Sequence, residues 1–279
     1  MTRCVPCAGC VAVSLPVPRA GLRSLLPAAA VLLAAAAGCA RPTTGFQSRV
    51  FRGSDGAAVP YVLFVPHAYT PARPVPVILF LHGGGEAGTD GQKQTQVGLG
   101  PAVRAREASF PFLVVFPQAR ENVPATHSSW LPGQPDGDRA LAILDAVRRE
   151  YTTDPERVYL TGISVGGSGT WQMAARLPER WAAIVPVCGI GPRARADALA
   201  HLPCWCFHGG DDDVVPVHFS RAMIEALKQA GGSPRYTEYP GVGHDCWDRA
   251  YASEALYQWL LRQRRNGAKG PRMNQEGSG

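Results

Sequence analysis

The chain has 279 residues, 46% of them hydrophobic and 18% charged, with 31 Gly, 25 Pro and 8 Cys. That composition belongs to a folded globular protein and excludes a disordered chain, a collagen and a coiled coil. The formal charge of +6 sits at the ends, +3 over residues 1–40 and +4 over 262–279, so the body 41–261 carries −1 and lacks the basic patch of a nucleic-acid binder.

Arg19 and Arg23 precede a 13-residue apolar run, Leu25 to Ala37. A membrane span needs about 20 such residues, so the run reads as the core of an export leader. Ala36-Ala37-Gly38-Cys39 resembles the bacterial lipoprotein cleavage box, with Ala36 where that box usually has Leu. The resemblance implies that Cys39 becomes a lipidated first residue that attaches the exported chain to a membrane. Cleavage at the same small residues without lipidation gives a secreted protein. Cys4, Cys7 and Cys10 lie within the leader and lack the fourth Cys of an iron–sulfur run. Besides Cys39, Cys188, Cys204, Cys206 and Cys246 follow, an even number in a compartment where bridges are permitted, with the pairing open.

Residues 40–47 read as a linker. Two extended segments, 48–52 and Val59 to Val65, flank the turn Ser54-Asp55-Gly56 and predict a hairpin. Val75 to Leu81 is apolar enough for a strand buried on both faces, and similar strands are predicted at Phe112 to Phe116, Val158 to Thr161, Ala183 to Val187, Cys204 to Phe207 and Arg235 to Tyr239. Helical patterns lie between them: 139–147 behind Asp138 as N-cap, then Val165 to Arg176, Val217 to Ala230 and Asp248 to Gln263. Strands alternating with helices predict an α/β fold, a mostly parallel central sheet with helices on both faces.

The strand at 158–161 runs into Gly162-Ile163-Ser164-Val165-Gly166-Gly167 and then a helix. This is the G-x-S-x-G context of a nucleophile elbow, where glycines permit a tight turn and the helix aims its amides at the serine. A serine hydroxyl needs a base, and the base a group that orients it. After the strand at 204–207 comes His208-Gly209-Gly210-Asp211-Asp212-Asp213, and after that at 235–239 comes Gly241-Val242-Gly243-His244. The order Ser164, acid, His244 suits three loops at one sheet edge. Leu81-His82-Gly83-Gly84-Gly85-Glu86 follows the first buried strand and can supply the amides that an oxyanion requires.

These motifs resemble the α/β-hydrolase superfamily, and among its members the exported carboxylesterases of the phospholipase/carboxylesterase, feruloyl-esterase and predicted-peptidase groups. The resemblance covers about residues 48–262, leaving 263–279 as a basic tail. It implies Asp212 as the acid, ahead of Asp213, because the acid of those groups lies four residues after the His of an H-G-x-x-D stretch. It further implies His244 as base and the amides of Gly84 and Val165, with Gly85 as a third candidate, as oxyanion donors, while His82 and His208 support their loops. The implied function is hydrolysis of a carboxylic ester, small or carbohydrate-linked, through an acyl-enzyme, with no cofactor. A prolyl-oligopeptidase-like serine peptidase shares these motifs, and a lipid-anchored binding protein that retained the fold without catalysis is the reading of another class.

Gly83 to Gly88 also satisfies G-x-G-x-x-G, but the polar Thr89-Asp90-Gly91-Gln92-Lys93-Gln94 follows where a dinucleotide fingerprint needs an apolar helix. Cys204, Cys206 and His208 share one face of a strand without zinc spacing, and the Asp211-Asp212-Asp213 run is too short for a calcium loop, so no metal is expected. The long loop 117–137 holds Gln118, Asn122, His127 and Trp130, of which Trp130 and Gln118 are the expected substrate-binding residues. Only 15 residues run from Cys188 to Leu202, too few for a large cap domain over the site.

Overall fold

The computed structural model describes residues 43–53, 56–120 and 129–265. The leader with Cys39, the start of the linker, Ser54, Asp55, Asn122, His127 and the tail from 266 lie outside them. All described residues fall within one compact unit.

Eight strands form one sheet: β1 (Gly45–Arg52), β2 (Ala58–Val65), β3 (Val75–Leu81), β4 (Leu113–Pro117), β5 (Thr153–Ile163), β6 (Ala183–Val187), β7 (Trp205–Gly209) and β8 (Arg235–Tyr239). Their order is β1-β2-β4-β3-β5-β6-β7-β8, antiparallel at β1-β2 and β2-β4 and parallel beyond. The hairpin pairs Gly45 with Val65 through Arg52 with Ala58. The helices are α1 (Leu99–Arg104), α2 (Pro135–Glu150), α3 (Val165–Arg176), α4 (Ala196–Leu199), α5 (His218–Gln229), α6 (Trp247–Ala252) and α7 (Glu254–Arg262).

The central strands read as unbroken apolar runs because each face meets its own layer of helices. Leu79 and Leu81 join a core with Leu144 of α2, Trp171 of α3 and Met223 of α5, while Ile78 and Phe80 join a second core with Val103 of α1, Tyr251 of α6 and Leu260 of α7. Side chains on a strand alternate between faces, so one seven-residue strand anchors both layers. Phe80 sits edge-on to Phe116 and Tyr251, fixing α6 over β3 and β4.

Two expectations about helices are corrected. The helix after the long loop starts at Pro135 rather than behind Asp138, since proline at the first helical position has its φ preset and no amide to lose. Asp138 instead accepts the Gly133 amide at 2.8 Å. The helix expected over 248–263 is two, broken at Ser253, whose extended ψ of 114° turns the chain so that both Tyr251 and the Leu256, Tyr257 and Leu260 face reach the sheet. The short α1 is not among the helices the sequence pattern predicts; Gly98, with φ of 69°, starts it, and Gly100 passes the Thr95 carbonyl so closely that a Cβ would lie 2.0 Å from it.

Between β6 and β7 the described chain has only a 3-10 turn at Arg193–Arg195 and the four-residue α4. Helix α3 lies against β6 with backbone touching backbone: a Cβ on Gly167 would stand 2.2 Å from the Val187 carbonyl oxygen, and one on Gly189 would stand 2.3 Å from the Gly167 carbonyl carbon. Neither neighbour is a side chain that can rotate away. Gly189→Ala is therefore expected to lower unfolding free energy by about 3 kcal/mol, read from the urea midpoint; an unchanged midpoint would show that the contact is looser than this.

Candidate active site

Four connections at the carboxyl ends of parallel strands supply the site, which is where such sheets leave a crevice. Ser164 stands between β5 and α3 at φ 52° and ψ −117°, a strained conformation for a residue other than glycine. Its amide donates to the Val187 carbonyl at 3.0 Å, and its carbonyl accepts the Ser168 amide at 2.9 Å. The turn is possible because Gly162 and Gly166 lack side chains. A Cβ on Gly166 would lie 2.0 Å from the Leu81 carbonyl oxygen, and one on Gly162 would lie 2.5 Å from the Gly166 carbonyl oxygen.

The structure brings Ser164, His244 and Asp212 into one hydrogen-bonded line. Ser164 Oγ is 2.9 Å from His244 Nε2, and His244 Nδ1 is 2.7 Å from Asp212 Oδ2. With a carboxylate at Nδ1, that nitrogen carries the proton and Nε2 is left to accept from the serine. Asp211 and Asp213 are exposed, whereas Asp212 is buried.

Asp212 is held from several directions. Its Oδ1 accepts the amides of Val214 and Val215 at 3.0 and 2.8 Å, and its Oδ2 lies 3.1 Å from His208 Nε2. Burial pushes its carboxyl upward, but the hydrogen bonds from His208, His244 and the Val215 amide outweigh burial and hold it well below the usual carboxylate range. His208 is itself fixed: Nε2 also reaches the Val215 carbonyl at 2.8 Å, and Nδ1 meets Ser220 Oγ at 2.7 Å. Cys206 donates to the same Ser220 oxygen at 3.4 Å. Cys206 and His208 thus serve one α5 contact.

The glycine loop after β3 lies against the serine: a Cβ on Gly83 would be 3.5 Å from Ser164 Cβ. Gly84 and Gly85 open the 3-10 turn Gly84–Glu86, and Val165 is the first residue of α3. His82 is buried, its Nε2 accepting the Ala119 amide at 2.9 Å and its Nδ1 meeting the Gly83 carbonyl at 2.6 Å. A nitrogen that accepts an amide proton holds none, so Nδ1 donates and the ring is neutral. Burial lowers its pKa to about 4, against the Gly83 hydrogen bond that favours the charged form. Burial likewise raises the Glu86 carboxyl, whose opposing interactions are the amides of Gly83 and Glu86.

Trp130 and Gln118 are not the substrate contacts that sequence reasoning expected. Trp130 is 1% exposed, donates from Nε1 to the His82 carbonyl at 3.1 Å, and packs edge-on to the His82 ring. Gln118 is 3% exposed; its Oε1 accepts the Gly91 amide at 2.7 Å and its Nε2 donates to the Glu86 carbonyl at 3.0 Å. Both brace the glycine loop from behind. An amphipathic tryptophan in a long loop gives no sign of which side it will face.

Two neighbours of the triad went unread. Trp247 sets its ring 5.3 Å from that of His244 at 84°, and its place three residues after the histidine was the available signal. Cys188, Asp212 and His244 place ligand atoms within 4.8 Å of one another, a set that could hold a metal ion in principle, although the carboxylate and imidazole atoms are engaged with each other.

With this geometry established, comparison with known proteins gives concordant matches. Residues 58–259 match the family described as "Putative esterase". The chain is 26% identical over 201 residues to a bifunctional acetylxylan esterase/xylanase of Neocallimastix patriciarum, covering 69% of this chain and 27% of that protein. It is 26% identical over 211 residues to a carboxylesterase of Arabidopsis thaliana, covering 67% and 90%. A solved thermostable esterase superposes with a TM-score of 0.72 and 34% identity over 79% of this chain and 63% of that one. The chain thus spans about a quarter of the fungal enzyme and under two thirds of the thermostable esterase chain. The architecture is the α/β-hydrolase fold.

His82 gives this site an acid sensitivity of defined sign. Its folded pKa lies below the ordinary value of 6.5, so the native state binds fewer protons than the unfolded chain. Its share of stability is complete above pH 6.5 and is lost as pH falls from there towards 4. Between pH 7.5 and 4.5 the loss attributable to this ring is about 2 to 3 kcal/mol. Urea unfolding at the two pH values should show a drop that shrinks by that amount in His82→Gln; an identical drop in both proteins would refute the assignment.

Proposed function

The chain belongs to the esterase family matched over residues 58–259, and from that premise we propose that it is a serine hydrolase that cleaves carboxylic esters through an acyl-enzyme. The observation that carries the reading is the line from Ser164 Oγ through His244 to Asp212, with separations of 2.9 and 2.7 Å.

In this reading Ser164 attacks the ester carbonyl as its proton passes to His244 Nε2. The imidazolium so formed is stabilised by Asp212, which stays ionised because its hydrogen bonds hold its pKa low. The carbonyl oxygen becomes an anion next to the glycine loop, where the amides of Gly84 and Val165, with Gly85 as a further candidate, point donors at it. His244 returns the proton to the departing alcohol, then activates a water that releases the acid. The fixed backbone of the elbow and the buried brace under the glycine loop preorganise these donors, so little reorganisation is needed as charge develops.

For the substrate we infer an acyl group on a carbohydrate or a short aryl ester. The acetylxylan esterase among the relatives and the absence of a long insertion between β6 and β7 in the described chain support an open site of this kind. Export is part of the proposal and rests on the apolar run before Gly38-Cys39.

Ser164→Ala should reduce kcat on p-nitrophenyl acetate by about 10⁴-fold or more while leaving the unfolding midpoint in place, and Asp212→Asn should cost about 10⁴-fold. Ester turnover that survives in Ser164→Ala, or cleavage confined to a Gly-Pro anilide, would overturn the esterase reading. The lipid anchor is tested separately by mass spectrometry of the chain recovered from an exporting bacterium, with Cys39 expected as the lipid-modified first residue; an unmodified Cys39 or a start elsewhere would refute the anchor, and recovery of the chain with its leader uncleaved would refute export.

A further inference from the structure

The free, fully buried thiol of Cys188 takes no part in acyl transfer, yet it stands at the catalytic line. Its Sγ, an oxygen of the Asp212 carboxylate and a ring nitrogen of His244 all lie within 4.8 Å of one another. Besides Ser164, Cys188 is the one non-glycine residue among those described with a positive φ, 41°. Such a strained backbone persists only where its surroundings fix it. Here the Cys188 amide donates to the Phe207 carbonyl at 2.9 Å, and the next residue, Gly189, lies hard against the Gly167 backbone. The thiol is therefore held beside the triad from two sides.

The three groups come from three connections: Cys188 follows β6, Asp212 follows β7 and His244 follows β8. Thiolate, carboxylate and imidazole are the donors zinc takes, and around a tetrahedral zinc such atoms stand about 3.3 to 3.6 Å apart, so the cluster has to close by about 1 Å. The thiol selects a thiophilic cation over magnesium or calcium. We propose that Cys188, Asp212 and His244 form an inhibitory site for a divalent cation of the zinc class, which disarms His244 by reversing its tautomer. The cation is an inhibitor in this role, and the ester chemistry runs without it.

The tautomer follows from which nitrogen faces the cluster. Nδ1 of His244 lies 2.7 Å from Asp212 Oδ2, and Nε2 lies 2.9 Å from Ser164 Oγ. A cation shared with the carboxylate takes the Nδ1 lone pair, which a neutral imidazole offers only when its proton sits on Nε2. That proton then points at Ser164, and no nitrogen is left to accept from the hydroxyl. Moving it also frees a lone pair on Oδ2, while Oδ1 keeps the amides of Val214 and Val215. Bonds from the metal to sulfur, nitrogen and oxygen form, one proton moves within His244, and the Cys188 thiol releases one proton to solvent. Nothing is oxidised or reduced. The loss of turnover rests on the esterase reading; the binding does not.

The test uses the full chain, reduced and free of chelator, with zinc chloride and cadmium chloride as probes. One equivalent of cadmium should produce an ultraviolet thiolate-to-cadmium charge-transfer band and release about one proton per chain. Saturating zinc should lower p-nitrophenyl acetate turnover by about 100-fold or more, as loss of a general base does, EDTA should restore it, and magnesium should leave it unchanged. In Cys188→Ser the band should be absent and half-inhibition should need about 100-fold more zinc, each protein being compared with itself without metal. Cys246→Ala should respond to both metals as the wild type does. If Cys188→Ser does not fold, Asp212→Asn serves the binding arm, and its cadmium affinity should fall by a similar factor. No band in the wild type, a band that survives in Cys188→Ser or disappears in Cys246→Ala, undiminished cadmium affinity in Asp212→Asn, or full ester turnover under saturating zinc would overturn the proposal. The band and the proton count read the site without ester turnover, so an inactive chain that shows both counts against the esterase reading and not against the site.

Discussion

The structure depends on a contact between backbones. The carbonyls of Leu81 and His82, at the end of β3, pass so near Gly166 that a single methyl group there would overlap both, at 2.0 and 2.5 Å. That approach joins the glycine loop, the serine turn and the first turn of α3 in one rigid piece. It explains why Ser164 keeps a φ of 52°: the turn is fixed from both sides, by the Val187 carbonyl on its amide and the Ser168 amide on its carbonyl. It also holds the glycine loop and the first turn of α3 close beside the serine, the two segments to which the proposed mechanism assigns the oxyanion donors.

Electrostatics then separates the histidines of the site by what surrounds them. His82 is buried with an amide pointed at one nitrogen, and so stays neutral and structural. His244 has a carboxylate at one nitrogen and a hydroxyl at the other, the pattern of a base. His208 spends both nitrogens on Ser220, Val215 and Asp212 and has nothing to offer a substrate. Asp212 links the last two. Burial alone would make its carboxyl hard to ionise, and the donors gathered around it reverse that balance.

Much of this was legible in the sequence because it is carried by patterns of short range. Apolar runs located the strands of the sheet interior, β2 to β7, and Gly-x-Ser-x-Gly between a strand and a helix located the elbow. Asp212 was separable from its acidic neighbours only through resemblance, since three consecutive aspartates offer no local difference; in the structure the difference is burial and the two amides on Oδ1. What the sequence hid was direction. Trp130 and Gln118 were placed in the right loop but turned towards the protein interior, because a buried carbonyl and a buried amide needed partners there. The break at Ser253 was equally silent: a serine within an apolar period reads as one more exposed helical residue until the sheet it must cover is known.

The buried polar groups also follow a plan of their own. Gln118 ties the strand end after β4 to the glycine loop, Ser168 accepts the Ile190 amide beyond β6, Asp136 accepts the Arg120 amide, and Ser220 holds the His208 strand end to α5. These side chains satisfy backbone or imidazole groups at connections, where no strand or helix ladder reaches. The sheet interior is held by its backbone ladders and by apolar contact, with Thr161 bonding the Val185 carbonyl and the Tyr251 hydroxyl inside it, and the other side-chain hydrogen bonds that give direction gather where loops must be placed to a fraction of an ångström. Gln94, buried with both amide atoms unpartnered, is an exception, and it too lies at a connection, in the chain between the glycine loop and α1. A fold arranged in this way can change the loops that meet a substrate without disturbing the core, because the groups that fix the catalytic line are tied to strand ends and to one another.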